Sequence, residues 1–91
     1  MPEAAREVSL SNKYGLHARP ASRLVGVANR FQAAITIANP SGRSVNAKSI
    51  MDVLTLAASS GTALTIRAVG EDAEAAVTEL VQLIQSRFGE E

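Results

Sequence analysis

Gly15-Leu16-His17-Ala18-Arg19-Pro20-Ala21-Ser22-Arg23-Leu24-Val25-Gly26-Val27-Ala28 is the stretch in which a loop turns into a helix. From Ala18 onward apolar residues recur at Ala21, Leu24, Val25 and Ala28, while Arg19, Ser22, Arg23 and Asn29 fall on other faces. That spacing is helical. Pro20 suits the first turn, where N–H groups have no acceptor inside the helix and a missing donor costs little. A helix is therefore predicted from Ala18 to near Arg30, with His17 at or beside its N-terminus.

Outward from this point the pattern changes period. Upstream, Val8 and Leu10 alternate with Glu7 and Ser9, which predicts a half-buried strand from about Arg6 to Leu10, broken by Ser11, Asn12 and Gly15. Downstream, Ile35 and Ile37 alternate with Ala34 and Thr36, and Asn39-Pro40-Ser41-Gly42 is a strong turn signal leading to a third strand over Arg43 to Ala47. Ser49, with Asp52 three residues on, resembles a capping box and opens a short helix to about Ala57, with Ile50, Val53, Leu54 and Ala57 as its core stripe. Ser59, Ser60 and Gly61 stop it. Leu64, Ile66 and Ala68 mark a fourth strand ending at Gly70. A last helix runs from about Asp72 to Phe88, with Ala73, Ala76, Val77, Leu80, Val81, Ile84 and Phe88 on one side and Glu71, Asp72 and Glu74 near the positive end of its dipole. The order βαββαβα defines an α+β chain, whose stripes are buried most simply by a sheet covered on one face by helices.

Composition narrows the function. At 91 residues the chain makes one domain, 1–91, with no room for a separate catalytic unit. Hydrophobic residues are 46% and aromatic residues 3%, so the core is built from small aliphatic side chains. Nine Lys and Arg balance nine Asp and Glu, with no basic run, which argues against general nucleic-acid binding. There is no cysteine and one histidine, so neither a disulfide nor a Cys- or His-rich metal site is expected, and no cofactor is called for. The polar, mixed-charge beginning lacks the apolar run of a signal peptide or membrane span, which predicts a cytoplasmic protein without membrane insertion.

The chemistry lies at His17. Backbone N–H groups from about Ala18 and Arg19 onward, together with the helix dipole, make an anion site where a phosphoryl group on the imidazole would sit. Arg19 can add a charged contact to phosphate oxygens, and Gly15 lets the backbone approach closely. Leu16 reads as a core anchor. The helix N-terminus is expected to disfavour the protonated ring, leaving a nucleophile suited to covalent phosphorylation. Arg19 and Pro20 taken singly have ordinary surface and structural explanations; the whole Gly15 to Ala21 segment is what singles out the site.

Gly15 to Ala21 and Asn46-Ala47-Lys48-Ser49-Ile50-Met51 together resemble the two signatures of the HPr family, the histidine-containing phosphocarriers of the bacterial phosphoenolpyruvate-dependent phosphotransferase system. The resemblance spans nearly the whole chain. It implies an open-faced β-sandwich, with a four-stranded antiparallel sheet in the order 1-4-2-3 and three helices on one face. It further implies that His17 takes a phosphoryl group through Nδ1 from enzyme I and passes it to IIA components of sugar transporters. Arg19 would be the family's phosphate-side arginine, with Ala18 replacing a residue that is often hydroxylic. Ser49 would match the serine modified by a dedicated HPr kinase/phosphorylase and read by a catabolite-control regulator, although an N-cap alone explains a Ser there and Asp52 would repel a phosphoserine. A monomer is expected. Docking candidates are Leu16, Arg23, Lys48, Ile50, Met51 and Leu54; Met51 points off the core stripe, whereas Arg23 and Lys48 also read as solvated surface.

Three rivals remain. The same motifs would serve a nitrogen-related or dihydroxyacetone-linked phosphorelay. A hydrolase using His17 as base lacks a local nucleophile and orienting acid. An interaction domain without phosphorylation predicts no phosphate uptake.

Overall fold

Alternation of small apolar and polar residues builds a sheet whose central strand is the last one made. In the computed structural model, which describes residues 2–89, β1 (Glu3–Ser9), β2 (Ala34–Ala38), β3 (Ser44–Asn46) and β4 (Ala63–Val69) form one antiparallel sheet in the order β1-β4-β2-β3. Of the expected 1–91 domain, Met1, Glu90 and Glu91 lie outside the described residues. The fold expected from sequence and resemblance is the one present. β4 pairs along its full length with β1, from Glu3 opposite Val69 to Ser9 opposite Ala63, and β2 flanks it on the other side. This long pairing carries β1 back to Glu3, beyond the Arg6 start that the alternation of Val8 and Leu10 suggests.

Leu64, Ile66 and Ala68 of β4 join Ile35, Ile37, Ala4 and Val8 on the covered face. Arg6, opposite Ile66, faces the same way, but at the sheet edge its guanidinium reaches Glu74 at 3.3 Å. The helices α1 (Ala18–Ala28) and α3 (Ala73–Gln85) lay their predicted stripes on this face, and all the named apolar positions of both are buried. α3 stops short of Phe88. Arg87 and Phe88 take left-handed φ values of 59° and 56°, so the chain turns through a 3-10 segment (Arg87–Gly89) that drives the Phe88 ring into the core.

The short helix departs furthest from expectation. α2 spans only Ile50–Leu54, and Thr55 caps it with its hydroxyl on the Asp52 carbonyl and the Arg43 guanidinium on that hydroxyl at 2.8 Å. Helical spacing therefore ends before Ala57, which is exposed at φ 47°, and Leu56 and Ala58 supply the buried contacts instead. Ile50 is 41% exposed, off the core, while Val53 is buried.

Asp72 precedes α3, but its carboxylate is not a cap for its own helix. It accepts from the backbone N–H groups of Gln32 at 2.8 Å and Ala33 at 2.9 Å, fastening the α1–β2 loop to the β4–α3 turn. The Gln32 N–H is the main cause holding this carboxyl below its ordinary range, with the Ala33 N–H and the Lys48 charge adding to it. Among the described residues no helix is long and apolar enough to cross a membrane.

Candidate functional site

The loop after β1 is held from both ends before it reaches His17. Leu10 is buried and exchanges backbone hydrogen bonds with Thr62 and Gly61, and Leu16 is buried further on. Between them Asn12 is the single buried polar residue among those described, and its amide donates to the Gly15 carbonyl at 2.8 Å. Gly15 adopts φ +67°, and a Cβ there would lie 2.3 Å from the Ala58 carbonyl oxygen. The Leu16 N–H donates to that same oxygen at 2.9 Å. Only glycine fits such an approach in the left-handed region. Gly15 thus makes a close backbone approach to Ala58 and Ser59.

His17 follows as the N-cap of α1. Its backbone is extended at φ −90° and ψ −171°, its carbonyl accepts from Ala21 at 3.0 Å to close the first turn, and its side chain makes no capping bond. The imidazole is half-buried with Nε2 out of contact with solvent. Pro20, buried in the first turn, has no N–H to offer, so the free end of the helix consists of the Ala18 and Arg19 N–H groups, which have no acceptor within it. Arg19 and Ala18 are both exposed. A partly exposed imidazole, a positive helix end and an exposed guanidinium therefore share one short segment, an arrangement suited to an anion carried on the ring.

The remaining candidates divide. Leu16, at 4% exposure, is the anchor expected, and its burial removes it from any docking surface. Met51, at 75%, and Ile50 are exposed on α2, whereas Leu54 is partly buried against the core. Lys48 and Arg23 are not simply solvated. The Lys48 ammonium donates to the Phe31 carbonyl at 2.7 Å just past the end of α1, and the Arg23 guanidinium donates to the Phe88 carbonyl. Ser49 is the N-cap of α2, its hydroxyl accepting from the Asp52 N–H at 3.3 Å.

Asn12 and Tyr14 carry weight in the loop that the residue pattern did not assign. An Asn three residues before a left-handed Gly is a signal for a side-chain-closed turn, and it was readable as such. A cleft of about 470 Å³ lined by Gln32, Val69, Gly70, Glu71 and Asp72 lies at the other end of the sheet, where β1 begins, and is remote from this loop. No group of three or more His, Cys, Asp or Glu among the described residues is arranged to hold a metal ion.

A family model described as the PTS HPr component phosphorylation site matches residues 4–86. The phosphocarrier protein HPr of Xylella fastidiosa (strain Temecula1) is 46% identical over 85 residues, covering 93% of this chain and 94% of its own length. The phosphocarrier protein NPr of Proteus mirabilis is 35% identical over 86 residues, 94% of this chain and 96% of its own. A crystal structure of HPr from Thermoanaerobacter tengcongensis superposes with a TM-score of 0.89 at 43% identity, over 100% of this chain and 99% of the other. A second structure from that organism, described as an HPr dimer, gives 0.77 at 43% identity over 91% and 94%. The chain belongs to the HPr family, the phosphocarrier components of the phosphotransferase system, which carry a phosphoryl group and are not enzymes in their own right.

Proposed function

We propose that His17 accepts the phosphoryl group on Nδ1, from phosphorylated enzyme I, and delivers it to IIA components during sugar uptake. The observation that carries this reading is the burial of Nε2 in an imidazole standing at the N-terminus of α1. With the proton on Nε2, the Nδ1 lone pair forms the N–P bond while the bond from donor to phosphorus breaks and its electron pair leaves with the donor. The Ala18 and Arg19 N–H groups and the Arg19 guanidinium then meet the phosphate oxygens. Delivery to an acceptor reverses these steps.

The sugar pathway is favoured over the nitrogen-related one because the HPr of Xylella fastidiosa is more similar to this chain than the NPr of Proteus mirabilis. Ile50 and Met51 are the docking residues proposed, since an exposed apolar pair on α2 gains most from burial by a partner. Ser49 stays a candidate for a kinase, at the cost of its capping bond to Asp52. The reading puts the carrier in the cytoplasm as a monomer, which the molar mass from light scattering would check against a dimer.

Incubation with enzyme I, Mg²⁺ and phosphoenolpyruvate is expected to add one acid-labile phosphoryl group to the intact mass. His17→Ala should gain none while keeping its thermal melt. Labelling of that variant would overturn the assignment.

A further inference from the structure

Tyr14 is an exposed aromatic side chain that the core does not explain, since 69% of its surface is open to solvent. Its ring instead stands edge-to-face with the His17 imidazole, with centroids 6.0 Å apart and planes at 85°. Both values lie within the range favoured by aromatic quadrupoles. The Lys13 ammonium sits 5.3 Å from the centroid of the same ring, a cation–π contact that restrains it from a second direction. Around both rings the backbone is tied by hydrogen bonds: the Asn12 amide closes the turn on Gly15, and the Leu16 N–H donates to the Ala58 carbonyl.

Phosphoryl transfer needs the imidazole lone pair in line with the bond that breaks, so freedom of the ring about its side-chain torsions lowers the fraction of productive encounters. We infer that Tyr14 is a positioning residue for phosphotransfer, its ring holding the His17 imidazole in the orientation that presents Nδ1, with Lys13 steadying Tyr14. In this role Tyr14 acts through His17, whose ring it contacts. The inference rests on the reading of His17 as acceptor.

Tyr14 is the chain's single tyrosine and there is no tryptophan, so its emission can be followed without background. Steady-state transfer from phosphorylated enzyme I is compared for wild type, Tyr14→Phe and Tyr14→Ala, together with NMR shifts of the His17 ring protons. Tyr14→Ala should lower kcat about tenfold, with KM for the carrier and the thermal melt little changed, as expected for lost orientation. Tyr14→Phe, which keeps the ring, should restore kcat to within about twofold of wild type. The His17 ring protons should move in Tyr14→Ala through loss of the neighbouring ring current, and wild-type tyrosine emission should change on phosphorylation. An unchanged kcat in Tyr14→Ala, or a rise in KM alone, would overturn the inference. Failure of wild type to become labelled at His17 would instead overturn the reading on which it rests.

Discussion

Single side chains set the loop, and Gly15 does so most sharply. An added Cβ would meet the Ala58 carbonyl oxygen at 2.3 Å and two backbone atoms of Ser59 within 3 Å, at a φ that L-residues avoid. Neither neighbour is a flexible side-chain end, so the loop itself must shift. Gly15→Ala should therefore cost about 2–4 kcal/mol in a denaturant melt, and it should slow phosphotransfer by more than a comparably destabilising change in α3. Equal stability to wild type would show that the loop relaxes freely. Gly15 stands out in the sequence, but its contact with Ala58 and Ser59 does not, because which backbone lies opposite is decided by tertiary packing. The same holds for Lys48 and Arg23. As exposed charges they read as solvated surface, and only the fold brings the Phe31 and Phe88 carbonyls within their reach.

At the scale of elements, long periodic segments were legible and short ones were not. The stripes of α1 and α3 are buried as read, because each repeats over three or more turns and one odd position cannot hide the period. α2 has five residues, too few to establish a stripe, so Ile50 and Ala57 were placed on a core face that only Val53 and part of Leu54 occupy. Asp72 shows a related limit: an acid near a helix start reads as a dipole partner, whereas here it binds the loop before β2. Its folded pKa is depressed, so the stability it confers is present above the pKa of the unfolded chain, near about 4. That stability is lost as pH falls through the folded value. Asp72→Asn should melt below wild type at neutral pH, with the gap closing as the solution is acidified below about pH 4. A constant gap across that range would separate the clamp from the charge.

For the whole molecule, the strand order was not readable from periodicity, since β1 and β4 are adjacent in the sheet but separated by most of the chain. It entered through the resemblance of two short signatures. The consequence for function is positional. Pairing β1 with β4 brings the loop after β1 against Ala58 and Ser59 just before β4, and that contact holds His17 at the exposed end of α1. The proposed phosphoryl carriage thus centres on one atom, His17 Nδ1. Long-range ¹H–¹⁵N correlation of the uniformly ¹⁵N-labelled, phosphorylated protein locates the phosphoryl group on the ring directly. Coupling to phosphorus at His17 Nδ1, with Nε2 retaining its proton, is the predicted result; phosphorus on Nε2, or no phosphorylated imidazole at all, would contradict it.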